Sequence, residues 1–385
     1  MKLGTIGFKG ERLREAREAR GLTAIALASV LGVTRAAVSQ YEQDVQSPRP
    51  DVMEMICQSL RLPLVFFTRS KPKHEGTIFW RSLASTTKLS RHAVERRLGW
   101  MQDLVANLRE FVDFPDPDFP QLDLPSDPLQ LTADDIESIA MAVRRHWKLG
   151  EAPIQDAVTI LENNGVFISR DDLYVTTLDG LSRWSPYDNT PYCLIASGKN
   201  SAARSRMDLY HELGHLILHR HLDQRYLLSA PVHKAIEDQA YLFAGAFALP
   251  QQPFAADIYS LSLDAFVNLK AIWKVSVAMM IKRCEILSII DEARSKALWI
   301  GMTARGWRTR EPLDDEMPTE YPQLMVRAVD LLRSQGIDPR EYLTSALALP
   351  ELDIEQLAGL PEGSLSRRPA DILEFKRPRQ INQHS

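Results

Sequence analysis

The sequence predicts an α+β protein that is mainly helical. Residues 8–62 consist of helix-favouring pieces of about ten residues, separated by the short turns "RGLT", "LGVT" and "QSPRP". Three strand-like runs lie between residues 166 and 197, and amphipathic stretches flank them on both sides. These patterns predict an N-terminal helix bundle, a middle domain with a small antiparallel sheet, and a helical C-terminal region.

The composition is that of a soluble globular protein. Of the 385 residues, 45% are apolar and 25% are charged, which is usual for two or three soluble domains. The net charge is −4; residues 1–70 carry ten Lys or Arg and seven Asp or Glu, which leaves +3 there and −7 elsewhere. Cys57, Cys193 and Cys284 form no CxxC motif, which excludes a cysteine-based zinc finger. Because no run of 18 apolar residues occurs, we expect a cytoplasmic protein with no membrane segment.

Two helices joined by a short glycine-containing turn are predicted within residues 8–62. Thr23 and Thr34 each stand where a threonine can cap the following helix. The glycine of "LGVT" falls where one helix has to end before the next begins. A small core is expected from apolar residues at helical spacing: Leu22, Leu27, Val30, Leu31, Val33, Val38 and Tyr41. The pattern is typical of a helix-turn-helix.

The stretch "GERLREAREARGLTAIALASVLGVTRAAVSQYEQDVQSPRPDVMEMICQSL" resembles the Xre or λ-repressor-like helix-turn-helix family. The resemblance implies that the helix after "LGVT" enters the major groove of a double-stranded DNA operator, bound by a homodimer. It puts Arg35, Ala36, Ser39 and Gln40 near base edges and phosphates. Ala24 stands where the family often has a phosphate-contacting Gln, so weaker DNA binding is expected. The alternative is a helical docking module without a DNA role.

Four segments are predicted along the chain. The stretch "PDPDFPQLDLPSDP" is rich in proline and aspartate and is typical of a linker. The runs "VFISR", "DGLSRWS" and "PYCLIAS" are the three expected strands. The predicted segments are 1–70 for the helix-turn-helix, 71–128 for a connecting helix and linker, 129–300 for the middle domain, and 301–385 for a helical region ending in a mobile basic tail.

The helix predicted over "AARSRMDLYHELGHLILHRHL" carries a pattern that suits a zinc ion. His211 and His215 are four residues apart, so both imidazoles project from one face of the helix. Two such nitrogens can hold zinc at about 2.0–2.1 Å. Glu212 is placed to take a proton from water at the metal. Because H-E-x-x-H has only three fixed residues, the alternative is a chance pair of surface histidines.

A third zinc ligand is expected from "HKAIEDQAYLFAGAFALP", residues 233–250. Glu237 follows His215 by 22 residues, which is enough for a turn and an antiparallel return. A carboxylate there completes a two-histidine, one-glutamate site with an open fourth position, as in catalytic zinc sites. Asp238 is the alternative ligand, and His219 is expected not to bind the metal.

Several blocks in order resemble the ImmA/IrrE family of zinc metallopeptidases, whose fold is zincin-like. They are "FWRSLASTTKLSR", "GEAPIQDAVTILENNGV", "DGLSRW", "RSRMDLYHELGHLILH", "EDQAYLFAGAFALP" and "LKAIWKVSVAMMIKRCEIL". The resemblance implies Zn²⁺ bound by His211, His215 and Glu237, with Glu212 as the general base.

The same resemblance implies that "DGLSRW" lies beside the substrate cleft, where an edge strand accepts an extended peptide. Ser182, Arg183 and Trp184 are therefore candidate substrate contacts. The chain departs from the family at Tyr210, where Ala is usual, and at Tyr241, where Asn or Asp is usual. The second departure puts efficient catalysis in question, because such a residue orients a metal ligand.

The two resemblances together imply a DNA-binding transcriptional regulator with a zinc-dependent endopeptidase domain. Its protein substrate is expected to be a repressor, and the fused helix-turn-helix would bring the peptidase to the operator where that repressor sits. The alternative is a non-proteolytic transcription factor or antitoxin-like regulator whose zincin domain senses a metal, a peptide or a partner.

Overall fold

The structure is a computed structural model that describes residues 4–74, 76–80, 87–171, 180–197, 201–223, 227 and 229–366. The C-terminal tail that was expected to be mobile lies almost entirely outside these residues. The described part is mainly helical around one small sheet, so the predicted fold class is confirmed.

The N-terminal helices run as α1 (Gly10–Ala19), α2 (Ala24–Leu31), α3 (Arg35–Glu42), α4 (Pro50–Leu60) and α5 (Leu64–Thr68). The predicted caps are present, because Thr23 Oγ1 accepts from Ala26 N at 3.0 Å and Thr34 Oγ1 accepts from Ala37 N at 3.1 Å. Gly32 ends α2 with a φ of +63°, and the chain turns by 110° between α2 and α3. This is helix-turn-helix geometry.

The small N-terminal core contains most of the residues predicted for it, with one exception. Leu27, Leu31 and Val38 are buried. Val30 is 58% exposed, so its assignment to the core is wrong. Val30 comes directly before the last residue of α2, on the side of that short helix that faces away from the buried Leu27 and Leu31.

The middle of the chain alternates helices with four described strands. Its elements are β1 (Ile78–Trp80), α6 (Lys88–Leu108), α7 (Ala133–His146), α8 (Ala157–Asn163), β2 (Phe167–Asp171), β3 (Gly180–Ser185), β4 (Thr190–Ala196), α9 (Ala202–Leu218) and α10 (Ala230–Ala248). Thr132 caps α7 with a full capping box.

The remaining helices complete the second core and the C-terminal region. They are α11 (Gln251–Asp257), α12 (Leu263–Trp273), α13 (Val277–Ile286), α14 (Glu292–Ala304), α15 (Leu324–Ser334), α16 (Pro339–Leu347) and α17 (Glu351–Ala358). Among the described residues, no single helix is long and apolar enough to cross a membrane; one bent pair, α2 with α3, passes the same test of length and composition.

The sheet has the strand order β1-β3-β4-β2 and is mixed. β3 pairs antiparallel with both β1 and β4, as expected for a small antiparallel sheet. β2 pairs parallel with β4, so the expectation of a purely antiparallel sheet is wrong for this pair. The reason is that β3 and β4 form a hairpin, and β2 joins the far edge of β4 in the direction opposite to β3.

The segment predicted as a linker is irregular but packed. Phe119 lies edge-on to Trp147 and Trp184, with ring centroids 5.6 and 5.1 Å apart. The backbone N–H of Asp118 donates to the carbonyl of Asn164 at 3.2 Å. Its prolines keep the segment out of helices and strands, while its aromatic ring anchors it to the domain.

Two apolar cores cover opposite faces of the sheet. Leu181 and Leu194 face the first core, which also contains the N-terminal helices, α6 and α15 to α17. Cys193 and Ile195 face the second core, which contains α7 to α14. Helix α6 therefore covers one face of the sheet, and helix α9 covers the other.

Candidate metal centre and DNA-binding helix

Helix α9 brings the two histidines of the H-E-x-x-H motif onto one face. Ser201 caps its N-terminus, because Ser201 Oγ accepts from Arg204 N at 3.4 Å. The Nε2 atoms of His211 and His215 lie 3.1 Å apart, and both side chains are buried. The predicted one-turn spacing therefore yields two nitrogens that converge on one point.

Glu237 of α10 completes the cluster. Its Oε2 lies 3.4 Å from His211 Nε2, and its Oε1 lies 3.2 Å from His215 Nε2. Three ligands held tetrahedrally at about 2.1 Å from one ion lie about 3.4 Å from each other. The three measured separations fit this requirement, so these residues suit a zinc ion. The alternative ligand, Asp238, instead pairs with Lys234 at 2.7 Å on the exposed side of the helix.

The carboxylate of Glu237 is held ionised by its neighbours. Burial alone would raise its pKa, but the hydrogen bonds and charges of His211 and His215 outweigh burial and lower the pKa well below its ordinary value. The Glu237 side chain is 17% exposed, and His233 Nε2 lies 4.0 Å from its Oε1. The cluster is thus buried on the α9 side and partly open at Glu237.

A close approach of α9 and α10 places Glu237 beside the histidines. A Cβ added to Gly214 would lie 3.1 Å from both the Cα and the carbonyl oxygen of Ala240. Any side chain at position 214 would push the helices apart. The absence of a side chain at Gly214 is therefore what lets the two helices meet.

Glu212 lies under the sheet and is completely buried. A Cβ added to Gly180 of β3 would lie 3.2 Å from Glu212 Oε1, so this glycine makes room for the carboxylate. Burial, followed by the charge of Glu212, raises the pKa of the Cys193 thiol well above its ordinary value. Cys193 is therefore a neutral neighbour of the site.

A layer of side chains surrounds the two histidines, and most of it was not predicted. Phe79 of β1 stacks on the ring of His215 with centroids 5.1 Å apart and planes 7° apart. His219 Nδ1 lies 3.0 Å from His215 Nδ1, and Gln239 Oε1 lies 3.0 Å from His219 Nε2. Burial, followed by the charge of His215, lowers the pKa of His219 well below its ordinary value. His219 is thus a neutral neighbour of a candidate ligand.

The candidate substrate contacts do not form one surface. β3 lies between β1 and β4, so the expectation that it is an edge strand is wrong. Ser182 is buried, and its hydroxyl is 3.5 Å from the carbonyl oxygen of Glu212. Arg183 points to the opposite face, where it donates to Gln102 of α6 at 3.2 Å. Trp184 is partly exposed and donates to Asn189 at 2.8 Å.

The two departures from the family pattern, Tyr210 and Tyr241, are at least partly buried. Tyr210 is buried and packs edge-on against Phe247 with centroids 5.3 Å apart. Burial raises its pKa, so the phenol stays neutral. Tyr241 is partly buried against the second core. Neither residue is among the three that form the metal cluster.

The helix predicted to enter the major groove is α3, and it presents the predicted residues outward. Arg35 and Ala36 are exposed, and Ser39 and Gln40 are partly exposed. On α2, Ile25 is 62% exposed beside Ala24, so the start of this helix carries apolar side chains at the surface. The candidate DNA-contacting residues of α3 are therefore accessible.

Two family models match the chain. A helix-turn-helix model matches residues 13–67, and the peptidase M78 model, described as the IrrE N-terminal-like domain, matches residues 161–285. No curated protein matches the chain. The first range contains α3, and the second contains His211, His215 and Glu237. The chain therefore joins a helix-turn-helix domain to an IrrE N-terminal-like domain, as the sequence predicted.

Proposed function

We propose that this protein is a DNA-binding transcriptional regulator whose zinc-dependent endopeptidase domain cleaves a repressor or another regulatory protein. The observation that carries the proposal is the cluster of His211, His215 and Glu237, whose ligand atoms all lie within 4.8 Å of one another. The match to a peptidase family supports the same activity.

The three side chains would hold the metal, and the remaining coordination position would face the substrate. A zinc ion bound there would supply Lewis acidity toward a peptide carbonyl. Glu237 contributes a negative charge that offsets part of the charge of the ion. Phe79, stacked on His215, excludes water from the back of the ligand ring.

Glu212 would act as the general base. It follows His211 on α9 and lies in a fully buried position. It would accept a proton from water and pass it to the leaving amine. Gly180 keeps the space in which this carboxylate sits.

The test compares the full-length protein with His211→Ala and Glu212→Gln. We expect about one zinc per chain in the wild type and in Glu212→Gln, and none in His211→Ala, by elemental analysis. Cells expressing the wild type should contain new protein N-termini, found by mass spectrometry, that are absent with Glu212→Gln. A zinc-loaded wild type that produces no such termini would refute the peptidase.

DNA binding by α3 would bring the peptidase to its substrate. Because Leu13 and Leu27 share a core with α6, removing residues 1–70 would expose apolar surface. Point changes at the exposed Arg35 and at Gln40 are therefore the better test. If repressor cleavage in cells were undiminished by Arg35→Ala with Gln40→Ala, the tethering idea would be wrong. The predicted homodimer is tested by light scattering with and without operator DNA.

A second candidate function is a non-proteolytic regulator whose zincin domain senses a metal, a peptide or a partner. The observation that favours it is the burial of His211, His215 and Glu212. A sensor needs the zinc ligands but not a general base. Gene regulation that is lost in His211→Ala and kept in Glu212→Gln would support the sensor over the peptidase.

A further inference from the structure

A chain of hydrogen bonds leads away from His215 on the side opposite its candidate metal-binding nitrogen. His215 Nδ1 lies 3.0 Å from His219 Nδ1, and His219 Nε2 lies 3.0 Å from Gln239 Oε1. The Gln239 amide nitrogen donates to the carbonyl oxygen of Pro128 at 2.6 Å. His215, His219 and Gln239 are all buried.

The carbonyl of Pro128 sets the direction of every bond in this chain. A carbonyl oxygen only accepts, so the NH₂ group of Gln239 has to face Pro128 and its Oε1 has to face His219. His219 then donates from Nε2. In its neutral form it has a lone pair at Nδ1, which accepts from His215. His215 therefore carries its proton on Nδ1.

We propose that His219 and Gln239 are positioning residues that hold His215 in the tautomer whose Nε2 lone pair is free for the metal. The inference rests on the proposed zinc site. The opposite tautomer of His215 would carry a proton on the nitrogen that points to Glu237 and His211. It would also place two acceptors face to face, at His215 Nδ1 and His219 Nδ1.

The same contacts fix the orientation of the imidazole. Phe79 stacks on one face of His215, and His219 holds its edge, so the ring has no freedom to rotate away from Glu237. Partners of this kind raise metal affinity by about 10-fold to 100-fold. Through Pro128 they also tie the end of the proline-rich segment to the site.

The experiment measures the zinc dissociation constant of the full-length protein by competition with a chromophoric chelator. Gln239→Met fills a similar volume but removes the acceptor for His219, and His219→Leu removes the acceptor for His215. We expect zinc binding about 10-fold to 100-fold weaker in both variants. His219→Gln keeps a carbonyl oxygen that can accept from His215, so its loss should be smaller than that of His219→Leu.

The control is His221→Ala, an exposed histidine two residues further on that contacts the carbonyl of Pro125 at 3.2 Å. Its zinc affinity should equal that of the wild type. The visible spectrum of the cobalt-substituted protein should change in Gln239→Met and stay unchanged in His221→Ala. If the wild type binds zinc and the dissociation constants of Gln239→Met and His219→Leu are within threefold of the wild-type value, the positioning role alone is overturned. A folded wild type that binds no zinc would overturn the zinc site and this inference together.

Discussion

Asp353 of α17 links the DNA-binding helices to the rest of the chain, and its replacement by Ala is expected to loosen them. Its carboxylate accepts two hydrogen bonds from Arg20 of α1, at 2.7 and 2.6 Å, and one from Arg97 of α6 at 2.9 Å. The exposed fractions of the side chains are 18% for Arg20, 5% for Asp353 and 1% for Arg97.

The expected loss in the free energy of unfolding depends on the contacts that Arg20 and Arg97 keep when Asp353 is replaced. Removing one partner of a buried ion pair costs about 3–5 kcal/mol in the free energy of unfolding. Arg97 keeps its ion pair with Asp171 of β2, and Arg20 keeps a hydrogen bond to the carbonyl of Leu60 at 2.9 Å. We therefore expect the lower end, about 3 kcal/mol, which for a chain of this length lowers the unfolding midpoint by about 4 °C.

The assay is thermal unfolding of the wild type, Asp353→Ala and a matched control. The control is Asp330→Ala, which breaks an exposed pair with Arg333 at 2.7 Å and should cost under about 0.5 kcal/mol. Amide hydrogen exchange should increase in α1 of Asp353→Ala and stay unchanged in the control. A midpoint for Asp353→Ala as close to the wild type as that of Asp330→Ala would refute the reasoning.

The pH dependence of stability is a second test of the contact between Asp353 and the two arginines. Burial alone would raise the pKa of Asp353, but the hydrogen bonds and charges of Arg20 and Arg97 outweigh it and hold the pKa below its ordinary value. The stabilisation is therefore present above the unfolded pKa of about 3.9 and is lost as the pH falls through the lower folded pKa. The stability difference between the wild type and Asp353→Asn should shrink over that acid range.

Three further changes test the site and the DNA-binding helix. Gly214→Val would separate α9 from α10, so it should lower stability by about 1–3 kcal/mol and reduce the zinc content measured by elemental analysis. Gly180→Ala brings a Cβ to 3.2 Å from Glu212 Oε1, so the formation of new N-termini should slow while zinc content stays unchanged. Arg35→Ala should weaken binding to the preferred operator by about 1–3 kcal/mol, measured by fluorescence anisotropy, while zinc content is unaffected.

The features that the sequence predicted well are those that depend on near neighbours in the chain. Thr34 caps α3 through a backbone N–H three residues away, and Gly32 ends α2 by its own backbone angle. His211 and His215 meet because they are one helical turn apart. Glu237 needed one long-range step, the antiparallel return of α10, for which the 22 residues after His215 leave room.

The features that escaped prediction depend on contacts between distant segments. β1 has three residues, too few for an alternating pattern, and it forms because β3 offers an edge. His219 was not expected to be a metal ligand, and its contact with Gln239 depends on how α10 lies against α9. Asp353 pairs with Arg20, which is 333 residues away in the chain, and no local sequence pattern predicts such a pair.

Helix α6, like α17, joins the DNA-binding head to the sheet. On one side, Trp100 donates to Glu15 of α1 at 2.8 Å. On the other, Gln102 accepts from Arg183 of β3 at 3.2 Å. A flexible tether would raise the effective concentration of the peptidase over many positions, whereas a rigid one raises it only where the geometry fits. Because the head is held by buried contacts on α6, we expect the protein to act on partners bound at particular positions on the DNA. The same rigidity would serve a sensor, since a change in the sheet would reach α1 through α6.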